Sequence, residues 1–441
     1  MSATLDPRQW QPEMEIVQYT LDNGLRLLVL PDHSLPIASF QVHYAVGSRH
    51  EHQGITGISH LFEHMMFRGS KELGPEEFSR IIQAKGGEVN AFTTHDNTSY
   101  FENIPVEHLE LAVRLEAERL INLNLTPESF EPEREVVRSE RKLRAVDSPF
   151  GLPLELLFSL AYTHHSYRWP VIGWDCDLQT ITLEDCLDYY RTYYCNPANL
   201  VITVAGAVNP EAARELVAKY FGPIPPGPPI PKPRTVEPPQ RGERRAIYKK
   251  VSQVAGVLAG VHIPPLKDPD IYPLLLLAGV LGLGKASRYY QNLVRPGRAV
   301  EVEVEVSPPP FTYQDPGLLV VYAVAPPQEP VAPLEAALWA EMEQIKAEGV
   351  DPAELVRVKK LFRAQMVRML ANNFYRGLLA ALIYLKTGEA EAANQLLHSY
   401  EQVTLNQLQE VARKYLIPDN RTVVLVQPVS PEEDAALGPV A

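Results

Sequence analysis

Two periods of apolar residues run through the first half of the chain, and together they parse it into elements. Ile16–Thr20 and Leu25–Leu30 read as strands on either side of Asp22-Asn23-Gly24. The Asn-Gly pair tolerates positive φ and predicts a type I′ hairpin turn. Pro36–Val46 reads as a further strand, and Glu88–Thr93 and Thr98–Ile104 as a strand pair joined by a polar turn. Gly57–Phe67 and Pro75–Ala84 instead place apolar residues three and four apart, the spacing of a helix with one buried face. Pro105–Leu123 is strongly amphipathic, and Thr126-Pro127-Glu128 supplies an N-cap, a first-turn proline and an early acid for another helical region. Hairpins and helices mix without strict βαβ alternation, which predicts an α+β fold.

The pattern stops at Gly222–Pro239, where half the residues are proline. Such a stretch favours extended polyproline geometry and belongs to no helix or central strand. The expected organisation is therefore a domain over 1–221, a linker over 222–239 and a second domain over 240–441. The halves echo each other. Ile181-Thr-Leu leads through a helical stretch to Asn196-Pro-Ala-Asn199, the strand Leu200–Ala205 and Asn209-Pro-Glu211. Val403-Thr-Leu leads likewise to Pro418-Asp-Asn420, the strand Thr422–Val426 and Ser430-Pro-Glu432. An echo this long is no solenoid period; it indicates a duplicated domain.

Composition narrows the function classes. With 54 Asp plus Glu against 41 Lys plus Arg, the formal charge of −13 disfavours non-specific nucleic-acid binding, which needs clustered cations. Cys176, Cys186 and Cys195 show no Cys-x-x-Cys spacing, so neither a disulfide framework nor a thiolate zinc site is expected. No targeting segment and no membrane-length apolar run is visible, and the expected location is cytoplasmic.

The chemistry concentrates in Gly57-Ile-Ser-His60-Leu-Phe-Glu63-His64-Met-Met-Phe67. Residues three and four apart share a helix face, so His60 and His64 can chelate one divalent ion with Glu63 beside them. Zinc suits imidazole ligands and leaves an open position in catalytic sites. Three ionisable groups on one turn of an otherwise apolar helix would be costly to bury without a task. A third ligand is needed, and Glu131–Glu140 offers four candidates: Glu131, Glu133, Glu135 and Glu140. Glu133 and Glu140 are seven apart and face one way across two helical turns, but spacing alone chooses none of the four. The adjacent His164 and His165 are a rival source, more in keeping with a polar turn.

His-x-x-Glu-His, followed 76 residues after its second His by Glu140, resembles the pitrilysin (M16) family of zinc peptidases. Gly86-Gly-Glu-Val-Asn-Ala-Phe-Thr93, Asp96-Asn-Thr-Ser-Tyr100, Glu133-Arg-Glu-Val-Val-Arg-Ser-Glu140 and Pro170-Val-Ile-Gly173 agree with it. The length is similar to the short subfamily (M16B) that contains mitochondrial processing peptidase. The resemblance implies two related domains of the LuxS/MPP-like metallohydrolase type, each a mostly antiparallel sheet packed with helices. It also implies one Zn2+ per chain on His60, His64 and Glu140, with Glu63 as general base and Glu133 orienting a ligand. Asn90, Ala91 and Phe92 become substrate-binding candidates, through main-chain pairing of a peptide with an edge strand. The implied activity is endopeptidase cleavage of peptides or unfolded segments. Alternatives within the resemblance are a dedicated presequence-processing peptidase and a non-catalytic core-protein-like subunit.

The resemblance departs in the second half. Relatives that bind substrate there carry an Arg and, seven residues on, a Tyr; here Arg295 is followed at that spacing by Val302. The expectation is a heterodimer with a homologous subunit supplying the Arg/Tyr pair, or a homodimer if Tyr289 or Tyr290 substitutes. Two other signals are set aside. Gly279-Val-Leu-Gly-Leu-Gly-Lys285-Ala286 lacks the Mg2+-binding hydroxyl of a P-loop, and its lead-in reads as helix. Tyr189, Tyr190, Tyr193 and Tyr194 lack interleaved cations and read as packing residues.

Overall fold

In the computed structural model, which describes residues 13–252 and 254–437, each half of the chain builds one sheet. The first half contributes β1 (Val17–Thr20), β2 (Arg26–Pro31), β3 (Ile37–Tyr44), β4 (Glu88–Thr93), β5 (Thr98–Pro105) and β6 (Leu200–Gly206), in spatial order β1-β2-β6-β3-β5-β4. The second contributes β7 (Arg244–Val251), β8 (Gly256–Ile263), β9 (Glu301–Glu305), β10 (Gly317–Val324) and β11 (Arg421–Val429), in order β7-β11-β8-β10-β9. Among the described residues, only β2/β6 and β7/β11 pair in parallel. Without β1, the two orders are the same pattern, which is the duplication seen in the sequence echo. Thr182 and Thr404 cap corresponding helices with the same capping-box geometry.

The β1–β2 connection is not the type I′ turn expected from Asn-Gly. Gly24 alone in the turn has positive φ (91°), and Leu21 N–H donates to Leu25 O across it. The reason lies outside the hairpin. Asn23 is buried and donates to the carbonyls of Phe221 (2.8 Å) and Ile224 (3.0 Å), a side-chain demand that local turn statistics do not contain.

Each sheet also receives a helix from the other half. The helix Gly151–Ala161 lies on β8 and β11, with Leu157 and Ala161 packed among Leu258, Leu318, Val320 and Val424. In return, helix Asn373–Thr387 lies on β6, β3 and β2, with Leu379, Ala380 and Ile383 against Leu28, Leu30, Val201 and Ala205. These shared cores fix how the sheets stand to each other. The proline-rich segment has neither helix nor strand and is pinned to the surface they make: Glu237 accepts backbone N–H bonds from Thr163, His164 and His165.

The helix Ile271–Gly282 contains the first two of the P-loop-like glycines, Gly279 and Gly282, and is almost wholly buried, and the four tyrosines pack in the first core. Among the described residues no helix is long and apolar enough to cross a membrane.

Candidate metal centre

Helix Ile58–Met65 carries His60, Glu63 and His64, and it begins at an unusually tight junction. Gly57 (φ 91°) and Gly173 (φ 82°) pass so close that a Cβ on Gly173 would meet Thr56 O at 2.3 Å. Both positions need glycine for the left-handed conformation and for the contact. The buried N–H groups at this start are satisfied by side-chain carboxylates. Glu51 accepts from Gly57 N (2.8 Å) and Ser59 N (2.9 Å), while Asp177 accepts from Thr56 N and Thr56 Oγ1. Burial pushes the Glu51 carboxyl up to about 8, against the pull of those N–H donors.

The second element is helix Pro127–Arg141, started by the Thr126 capping box and the proline at its first turn. It presents Glu133 and Glu140 to the histidines. One ligand atom each from His60, His64 and Glu140 lies within 4.8 Å of the others. Glu140 approaches His64 Nε2 at 3.3 Å and His60 Nε2 at 3.9 Å, and also pairs with Arg144. His64 Nδ1 is 2.8 Å from Glu133 Oε1, a contact that sets its proton on Nδ1 and leaves Nε2 free to ligate. Glu133 is buried and its other oxygen faces Arg68 Nε at 2.8 Å.

The two histidines are shifted in opposite directions. Burial, with His64 and Arg144 nearby, lowers the His60 pKa to about 3, so the ring is neutral and its nitrogen lone pair is available. His60 Nδ1 is buried without a hydrogen-bond partner, so no structural bond accounts for the ring's position. Burial works against protonating His64, but the bond to Glu133 and the charges of Glu140 and Glu63 carry its pKa above the ordinary value. Glu63 stands outside the triad. It accepts from Thr93 Oγ1 at 2.6 Å, and burial raises its pKa. Two imidazoles and a carboxylate with a free carboxylate alongside form a donor set that fits zinc.

The remaining candidates separate. Glu131 and Glu135 pair with Arg134 and Arg138 on the exposed side of their helix. His165 bonds Asp315 and Tyr167 N, and His164 is exposed; neither is among the metal-holding group. Asn90, Ala91 and Phe92 lie on β4, whose ladder partner is β5 and whose other edge ends the sheet. Arg295 is exposed and bonds Gln291. Tyr289 is fully buried with its hydroxyl on Leu338 O, which excludes it from replacing the missing tyrosine without unpacking the second core. Sequence reasoning assigned no role to Glu51, Arg68, Thr93, Arg144 or Asp177. Thr93 was legible only as part of the Gly86–Thr93 motif, and nothing local signals the others.

Residues 27–172, which contain the triad, match the family described as Insulinase (Peptidase family M16). Residues 180–362 match the Peptidase M16 inactive domain. Zinc protease PqqE of Helicobacter pylori is 31% identical over 433 residues, spanning 97% of this chain and 96% of that protein. The chain belongs to peptidase family M16. The uncharacterized zinc protease YmxG of Bacillus subtilis is 25% identical, over 94% of this chain and 98% of its own. A crystal structure of a Helicobacter pylori protease has the same M16 fold, with a TM-score of 0.90, 30% identity, and coverage of 94% of this chain and all of that one. The metal-holding group lies within residues 27–172, the part that matches the peptidase model, and outside residues 180–362, the part that matches the domain described as inactive.

Proposed function

We propose that this chain is a zinc endopeptidase that hydrolyses peptides or unfolded segments. The observation that carries the reading is the convergence of His60, His64 and Glu140 within 4.8 Å, with Glu63 one turn from His60 and outside the triad. Zinc held there supplies Lewis acidity, making water acidic near neutral pH and polarising a carbonyl. Glu63, oriented by Thr93, takes the proton from the attacking water and returns it to the leaving amine. Glu133 holds His64 in the tautomer that ligates through Nε2. Glu133→Ala is expected to weaken zinc binding by roughly 10–100-fold, measured by chelator competition. Unchanged affinity would remove Glu133 from this role.

The free edge of β4 supplies main-chain donors and acceptors for an extended peptide, with affinity largely independent of its sequence. The second domain has no His-x-x-Glu-His and carries Val302 where relatives have tyrosine. These features support a homologous partner subunit that contributes an Arg/Tyr pair. The purified chain alone is expected to cleave an unstructured peptide weakly, with turnover rising when such a subunit is added. Full turnover without a partner would sink the heterodimer.

A further inference from the structure

Between the helix Gly151–Ala161 and the β9 edge of the second sheet lies a cavity of about 260 Å3. Leu154 and Phe158 wall it from the helix and Leu318 and Val320 from β10, so both halves of the chain build it. His95 closes another side. Its ring stacks on Phe158 at 6.2 Å and 7°, and burial lowers its pKa to about 4, which leaves it uncharged. Two carboxylates face this apolar space. Tyr322 Oη donates to Glu305 Oε2 at 3.0 Å. Glu155 Oε2 accepts from Arg141 at 2.7 Å, and Oε1 accepts no hydrogen bond among the described residues. Burial pushes the Glu155 carboxyl up to about 7, against the pull of Arg141. No Lys or Arg of the described residues lines the cavity, and neither do His60, Glu63, His64, Glu140 or β4. An apolar concavity with a few placed polar groups is the ordinary form of a small-molecule site.

We propose that this cavity binds a small free aromatic amine. The ring covers the apolar walls beside Phe158 and Val320, and the ammonium donates to Glu155 Oε1, with Glu305 adding to the negative field. Two carboxylates with no cation on the lining exclude an anionic ligand, since a buried charge needs an opposite partner. The rings of Phe158 and Tyr322 add attraction for a cation over their faces. Size sets the rest. The space falls below the roughly 300–1,000 Å3 of drug-sized sites, so the occupant has one or two rings and no peptide chain behind it. The site goes beyond the peptidase reading and stands or falls without it.

Isothermal titration of the full-length chain with tryptamine tests it, beside indole-3-propionate, which carries the same ring and spacer on a carboxylate. Tryptamine is expected to bind one site per chain with a Kd of about 0.1–1 mM, the range open to a ligand of roughly a dozen non-hydrogen atoms. Indole-3-propionate should bind roughly tenfold more weakly or not at all. Glu155→Gln should weaken tryptamine by roughly tenfold or more, because it removes the charge and keeps the shape. Leu154→Trp fills the space from the helix side, leaves Glu155 in place, and should abolish binding. Thermal unfolding of both variants shows that the fold is kept. No saturable binding of tryptamine, equal binding of the carboxylate, or an unchanged Kd in both folded variants overturns the site. Trp-Gly-Gly amide binding as tightly as tryptamine would make the cavity a peptide site and overturn the assignment to a free amine.

Discussion

Glu63→Gln is expected to keep zinc and lose two to four orders of magnitude in turnover. Removing a positioned general base typically costs about 10²–10⁴-fold. The amide is isosteric, can still accept from Thr93 Oγ1, and leaves His60, His64 and Glu140 untouched. Steady-state cleavage of an unstructured peptide, alongside metal content of the same sample, separates base from ligand. Wild-type turnover in this variant would show that Glu63 moves no proton. Loss of zinc along with activity would show that it holds the metal instead.

Gly173→Val should be the most damaging substitution away from the chemistry. Its φ of 82° disfavours any side chain, and a Cβ would stand 2.3 Å from Thr56 O and 2.5 Å from Gly57 Cα, which are backbone atoms that cannot rotate away. Strain at such a conformation costs about 1–3 kcal/mol and overpacking adds about 1–3 kcal/mol. The displacement falls on the start of the histidine helix. It reaches the second ligand-bearing helix too, because Arg141 Nε donates to Gly173 O at 2.8 Å and Arg141 pairs with Glu155. Denaturant unfolding should therefore show a loss of several kcal/mol together with impaired zinc binding. Gly284→Val is the control: its φ of 75° carries a similar backbone penalty, but nothing lies within 4 Å of the added Cβ. A Gly173→Val chain no less stable than the control would contradict the close-approach argument.

The parts of this site that follow from one helix's own period were legible in the sequence. His60, Glu63 and His64 are one turn of one helix, and Glu133 and Glu140 are seven apart on another, so pattern alone put them on common faces. Choosing among four glutamates was not a local matter. Glu131 and Glu135 turn outward to Arg134 and Arg138 because of how their helix packs, and that packing is absent from the spacing. The strand parse succeeded where alternation was strong, as at Glu88–Thr93. It failed on the Asn23-Gly24 turn, where a buried amide answers to carbonyls about 200 residues away. The exchange of helices between the halves was invisible for the same reason. A duplicated pattern predicts two similar sheets, and nothing in the apolar pattern of Gly151–Ala161 or Asn373–Thr387 names the sheet each one covers. Asp177, which accepts from Thr56 at the start of the histidine helix, is likewise a long-range partner, about 120 residues away.

Metal content per purified chain, measured after zinc reconstitution on wild type, Glu63→Gln and His60→Ala, tests the central claim most directly. The account predicts about one zinc per chain in the first two and little in His60→Ala, since a ligand is lost only there. A wild-type chain that takes up no zinc, or a His60→Ala chain that retains it, would contradict the assignment of His60, His64 and Glu140 as the metal centre.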